Sequence, residues 1–393
     1  MLRPRRSKGQ RPPASDVRYR ARMRLNSRYR RLTPVGLLTI LIGALLLTAC
    51  SGGAPDDGNG AVSSGPEQPA EPAGEQQEKE EAAGQATEVP SQVSSDVDES
   101  RDLGEEAAAR VKVGQGEKGS THPDAGETVM LGEAWQRPAR LRIPSSYDGE
   151  APLPLLLLLH GYTSTSARQD EYMGFSRHID TDRYLLLLPE GRRDRSGAQF
   201  WNATDACCDI YKVGGDDVSY LVGLIGEAQG AYAIDAERVW VIGHSNGGFM
   251  SYRLACDGAP IAAIVSLAGS EFADGSVCED ASPLRVLQIH GDQDQIIDID
   301  GTASLGPGLG GFPSALEVVE RWARRGGCEL SPEAGVRQDL DRFLPEEDTV
   351  VLVYASGCEA GAGAELWTIV GGSHIPALRA DFAEQVVGWL MSE

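Results

Sequence analysis

From residue 139 onward, short apolar runs alternate with segments of helical period. Residues 139–143 alternate apolar and polar side chains and predict an early antiparallel strand. Residues 153–159 form a continuous apolar run, as expected of a strand buried on both faces of a parallel sheet. Residues 184–188, 239–242, 261–267 and 285–289 repeat that pattern, and residues 349–354 and 365–370 predict two late strands. Between the runs, residues 217–229, 247–256, 315–325 and 380–391 read as helices. Strands alternating with helices predict an α/β domain with a mostly parallel, doubly wound sheet and helices on both faces. In such a sheet the chemistry gathers at the carboxyl ends of the strands.

The first 126 residues follow neither period. The first 50 carry twelve Lys or Arg and one acid, Asp16, and end in an apolar run over 35–47. Thirteen residues are too few to span a bilayer, which takes about 20. A basic stretch, a short apolar stretch and small residues in that order read as a secretory signal. The run closes in Leu47-Thr48-Ala49-Cys50, which resembles the bacterial lipobox and implies lipidation of Cys50. Residues 51–126 contain no Phe, Trp or Tyr and carry seventeen acids against five bases. Such a segment buries too little apolar surface to offset its ordering entropy and predicts a self-repelling tether. The expected organisation is a signal over 1–49, a lipidated Cys50 and tether over 50–126, and one domain over 127–393.

Charge and cysteines narrow the class. The net charge is −22 overall and −33 without the first 49 residues, which argues against nucleic acid as a partner. Beyond Cys50 there are six cysteines, an even number that suggests disulfides in an oxidising compartment. Pairs Cys256–Cys278 and Cys328–Cys358 would close modest loops. Cys207 and Cys208 would then pair with each other or stay reduced. No Cys-x-x-Cys or neighbouring His supports a metal site, so neither metal nor organic cofactor is implied.

The turn after residues 239–242 reads Gly243-His244-Ser245-Asn246-Gly247, a G-x-S-x-G pattern between a strand and a helix. Such a turn strains the serine and exposes its hydroxyl, while the following helix directs free N–H groups and a positive dipole end at it. Ser245 is therefore the candidate nucleophile. A serine hydroxyl needs a general base, and His374, in the loop after the last strand, is the candidate. The third member must accept a bond from the imidazole and stabilise its charged form. Asp292, Asp294, Asp298 and Asp300 all crowd the loop after residues 285–289, and spacing does not choose among them. An oxyanion needs two backbone N–H donors; those of Asn246 and Tyr162 are the candidates. His160 and His290 precede glycines at strand ends and read as buried imidazoles bonded to backbone. His244 is taken as a substrate contact.

Leu159-His160-Gly161, Trp201-Asn202, Asp216-Asp217-Val218, the stretch over 235–248, His290-Gly-Asp-Gln-Asp294 and Gly371-Gly-Ser-His374 together resemble the α/β-hydrolase group of polyhydroxybutyrate depolymerases, feruloyl esterases and acetyl-xylan esterases. The resemblance runs from about residue 128 to the end of the chain. It implies that Asp294, four residues after the histidine of the His-Gly turn, is the acid. It also implies that Trp201 lines the substrate cleft. One departure stands out: the family's His-x-Trp-Pro is His374-Ile375-Pro376 here, which removes part of an acyl-binding wall.

The expected function is a membrane-anchored serine esterase of the cell envelope, acting on feruloyl, acetyl-sugar or hydroxyalkanoate esters through an acyl-enzyme. A serine peptidase of the prolyl-oligopeptidase type is a lesser alternative, because no propeller domain is visible. The alternative from another class is a non-catalytic lipoprotein that binds a glycan or a protein.

Overall fold

The computed structural model describes residues 122–392. The expected signal, the lipidation of Cys50 and nearly all of the tether lie outside them. Twelve strands occur in chain order: β1 Thr128–Leu131, β2 Ala139–Arg142, β3 Leu153–Leu159, β4 Leu185–Leu188, β5 Arg192–Arg193, β6 Gln199–Phe200, β7 Ile234–His244, β8 Ala263–Leu267, β9 Arg285–Gly291, β10 Glu333–Ala334, β11 Thr349–Tyr354 and β12 Gly363–Ile369. The α-helices are α1 Ser166–Met173, α2 Ile179–Asp182, α3 Asp217–Ala231, α4 Asn246–Cys256, α5 Ala315–Arg325 and α6 Phe382–Met391.

Ten strands make one sheet in the order β1-β2-β4-β3-β7-β8-β9-β12-β11-β10. The central six, β4 to β12 in that order, are parallel throughout. The edges, β1-β2-β4 and β12-β11-β10, are antiparallel. The mostly parallel sheet matches the expectation from the apolar runs.

Burial explains why those runs are continuous. In β3, Leu155, Leu157 and Leu159 enter one core cluster while Leu156 and Leu158 enter the other. Successive side chains point to opposite faces, and each face is covered. The first cluster takes in Leu221 and Leu224 of α3, Phe249 of α4 and Val318 of α5. The second takes in Met173 of α1 and Phe382 and Val386 of α6. Fully burying each such leucine is worth about 1.5–3 kcal/mol.

Some elements differ from expectation. β7 starts at Ile234, well before residue 239: Ile234 pairs with Leu153, the register shifts before Val239 meets Leu155, and the side chains between stay partly exposed. The hairpin β5–β6 and helix α1 were not expected. Helix α1 buries Ser166, Gln169 and Asp170 beside Met173, so its inward face is mostly polar and carries no apolar period. Residues 122–126 join the fold: the His122 ring packs on Tyr147 and Tyr232, with centroids 5.1 and 5.9 Å apart. Among the described residues no helix is long and apolar enough to cross a membrane.

All six cysteines of the domain are bonded in pairs: Cys256–Cys278, Cys328–Cys358 and Cys207–Cys208. The first two are the pairs expected, and the adjacent cysteines take the paired alternative.

Candidate active site

β7 ends at His244, and α4 begins at Asn246, so Ser245 alone makes the turn. Its φ of 53° and ψ of −119° lie in a region that L-residues avoid. Two glycines make the turn possible. A Cβ on Gly243 would come within 2.1 Å of the Gly247 carbonyl, and one on Gly247 within 2.3 Å of the Leu159 carbonyl oxygen. A serine in the N-cap position normally turns its hydroxyl back onto a helix N–H. Here it makes no such bond; the Oγ lies 3.0 Å from His374 Nε2.

On its other side, His374 Nδ1 lies 2.7 Å from Asp294 Oδ2. The carboxylate's second oxygen accepts the backbone N–H groups of Ile296 at 2.8 Å and Ile297 at 2.9 Å. Burial acts to raise the Asp294 carboxyl, but the imidazoles of His290 and His374 outweigh it and hold the group well below the usual carboxylate range. Donation from His374 Nδ1–H to the carboxylate leaves Nε2 as the acceptor facing Ser245.

The neighbouring aspartate does something else. Asp292 Oδ1 accepts the Gly371 N–H, pinning the loop that carries His374. Gly291 lets that loop approach, since a Cβ there would sit 2.2 Å from the Gly372 carbonyl oxygen. Asp298 Oδ1 accepts the N–H of Asp300.

The other three buried histidines of the site region have fixed tasks. His160 donates from Nδ1 to Gly161 O and accepts the Gly191 N–H at Nε2; burial lowers its pKa. His290 accepts at Nδ1 from the Gln288 amide, donates from Nε2 to Ile297 O, and stands 3.4 Å from Asp294. These two are the backbone-bonded imidazoles that their positions before glycines suggest. His244, expected to contact substrate, instead donates from Nε2 to the carbonyl of His374 at 3.0 Å. It packs between the rings of Tyr172 and His374. Burial, then the neighbouring His374, lowers its pKa to about 4, so it stays neutral near pH 7.

Trp201 also departs from its expected place in a cleft wall. Its side chain is fully buried, the indole donates to the His160 carbonyl, and it lies beneath the nucleophile turn. The backbone N–H groups of Tyr162 and Asn246 flank Ser245 in sequence or space. A Cβ on Gly161, next to Tyr162, would lie 3.5 Å from Ser245 Cβ. Among the described residues neither amide donates to an acceptor of the fold.

One group of potential metal ligands converges among the described residues: Cys256, Glu271 and Cys278. The sulfurs are bonded to each other, and the carboxylate is held by Arg321 and Arg325. That donor set does not suit a cation.

Similar proteins have this architecture. An acetyl xylan esterase from Aspergillus awamori superposes with a TM-score of 0.50 at 14% identity, over 67% of this chain and 100% of that one. The chain has the α/β-hydrolase fold. A model of the phospholipase/carboxylesterase family of α/β-hydrolases matches residues 215–306. Feruloyl esterase B of Piromyces equi is 25% identical over 60% of this chain and 42% of its own length. Feruloyl esterase D of Neurospora crassa is 24% identical over 61% and 74%. The chain thus spans about half the length of some curated relatives, 42% and 60% in two cases.

Proposed function

We propose that this α/β-hydrolase is a serine carboxylic-ester hydrolase of the cell envelope, acting on feruloyl or acetyl esters of sugars or on hydroxyalkanoate esters. The observation that carries the reading is the unbroken line from Ser245 Oγ through His374 to Asp294, at 3.0 and 2.7 Å. A binding module has no need of that line. The names of the similar proteins, feruloyl esterases and an acetyl xylan esterase, favour ester substrates linked to sugars.

In the proposed reaction, Ser245 Oγ attacks the ester carbonyl carbon while its proton passes to His374 Nε2. The carbonyl electron pair moves onto oxygen, facing the N–H groups of Tyr162 and Asn246. Asp294 stabilises the imidazolium. Collapse of the tetrahedral intermediate expels the alcohol, which takes the proton from His374 and leaves an acyl-Ser245. A water molecule then gives a proton to His374 as its oxygen attacks the acyl carbon; the bond from that carbon to Ser245 Oγ breaks, Oγ takes the proton back from His374, and the acid leaves. No step calls on a metal or organic cofactor.

Disulfides among the described residues support an extracytoplasmic compartment. Together with the lipobox-like Cys50, they support anchoring to a membrane through lipid. Exposed Ile296 and Ile375 follow the acid and the base and offer an apolar rim to an acyl group.

The test compares the full-length chain with Ser245→Ala on p-nitrophenyl esters, methyl ferulate, acetylated xylan and polyhydroxybutyrate. We expect the substitution to lower turnover by about 10⁶-fold, and fluorophosphonate to label Ser245. Equal turnover by both proteins, or labelling elsewhere, would sink the reading. No turnover on any ester by a folded protein would favour a glycan- or protein-binding role.

A further inference from the structure

The hairpin β5–β6 stands outside the main sheet, and nothing in the reaction above gives it a task. Yet its hydrogen bonds converge on the backbone around Ser245. In the loop after β3, the Gly161 N–H donates to Gln169 Oε1 at 3.1 Å, and the Thr163 N–H donates to Gln199 O of the hairpin at 2.9 Å. The Tyr162 amide between them is left unused among the described residues. The Tyr162 hydroxyl donates to Asp194 Oδ2 at 2.8 Å. Asp194 is itself immobilised, because its other oxygen accepts the Ser196 N–H, the Ser196 hydroxyl and the Ala198 N–H at 2.8, 2.6 and 3.1 Å.

The same strand reaches the second amide. Trp201, the residue after β6, exchanges two bonds with the Asn246 side chain: its N–H goes to Oδ1 at 2.7 Å, and its carbonyl accepts Nδ2 at 2.9 Å. The Trp201 indole ties the assembly to the His160 carbonyl. The residues that carry the two unused amides are therefore both held by one short hairpin and the residue after it.

We propose that residues 192–201 form a brace that sets the spacing and aim of the Tyr162 and Asn246 amides, with Asp194 the positioning residue that fixes the Tyr162 peptide. This rests on the esterase reading above. Donors stabilise a developing oxyanion only if they are already aimed when the charge appears. Within the loop, the Ser164 N–H closes a turn on the Gly161 carbonyl at 3.1 Å across the strained Thr163, at φ 67°, and the hairpin holds that turn from outside. Burial works against the charge on Asp194, but donors from Ser196 and Tyr162 outweigh it and keep the carboxyl below its ordinary range. It therefore remains an acceptor at neutral pH.

Tyr162→Phe removes the grip of Asp194 and keeps the amide, so it isolates the brace. With the full-length chain we expect kcat to fall about tenfold while KM stays within about twofold. Affinity for phenylboronic acid, which adds to Ser245 as a tetrahedral anion, should fall by the same factor. Asp194→Ala should match it, and Asp194→Asn, which retains an acceptor for the hydroxyl, should recover most of the loss. Unchanged kcat and boronate affinity in both Tyr162→Phe and Asp194→Ala would overturn the brace, as would a loss confined to KM. Turnover surviving in Ser245→Ala would instead overturn the esterase reading, and the brace with it.

Discussion

Asp294 and Glu271 are both wholly shielded from solvent, as Asp217 is, and each meets cationic or ionisable nitrogen. Their acidities move in opposite directions. Asp294 is held low, although burial opposes it. Glu271 is pushed up by burial, against the pull of Arg325 and Arg321. The imidazoles of His290 and His374 outweigh burial at Asp294, whereas burial outweighs the arginines at Glu271; the surrounding donors differ as well. Asp294 sits where the chain turns after β9, and two amides from its own loop reach one oxygen. Those dipoles are fixed by the backbone and need no further ordering. Glu271 depends on side chains: Arg321 at 2.8 Å, the Trp322 indole at 2.9 Å and Arg325 at 3.3 Å. Asp294 thus joins its loop to His374, and Glu271 ties helix α5 to the segment after β8.

Substitutions at the two sites should separate chemistry from stability. Asp294→Asn should lower kcat/KM by about 10⁴-fold, because the amide favours the wrong tautomer of His374; steady-state kinetics on a p-nitrophenyl ester measures it. Glu271→Ala should lower unfolding free energy by about 3–5 kcal/mol, as Arg321 and Arg325 lose their partner, while kcat stays within about threefold. Denaturant titration paired with kinetics checks both. A collapse of turnover in folded Glu271→Ala would erase the distinction.

Acid sharpens the comparison. His244 has a folded pKa of about 4 against an ordinary 6.5. The unfolded chain therefore takes up a proton that the folded one refuses, and stability falls as pH drops from about 6.5 toward 4. The total is on the order of 3 kcal/mol. Asp294 acts in the same direction at lower pH: its contribution is present above the unfolded carboxyl range and is lost as pH falls through its depressed pKa. Glu271 acts the other way, costing stability as pH rises past 4.5, its ordinary value. Thermal melts of His244→Gln between pH 8 and 4 should show a shallower acid decline than the parent. Parallel curves would show that His244 does not titrate with folding.

The apolar runs made the central sheet legible, because a strand buried on both faces has no alternative pattern. The serine turn was legible for a related reason: only glycine fits at 243 and 247. Choosing the acid was another matter. Asp292 and Asp294 are equivalent as residues in a loop, and only the fold turns one to the Gly371 N–H and the other to His374. The resemblance put Trp201 in the cleft and His244 was taken as a substrate contact, but neither a shared motif nor a neighbouring one says which way a side chain points. Both turn inward, onto the carbonyls of His160 and His374. The hairpin β5–β6 escaped notice because two-residue strands leave no period, and its importance lies in bonds to distant backbone.

The left-handed φ of Ser245 sets the interests of the fold against those of the reaction. Glycine is the residue that this dihedral prefers, and Ser245→Gly should be inert yet more stable by about 1 kcal/mol, after the added freedom of its unfolded chain is deducted. On the proposed reading, the strained dihedral is the stability given up so that a hydroxyl, and not a hydrogen, stands at this turn.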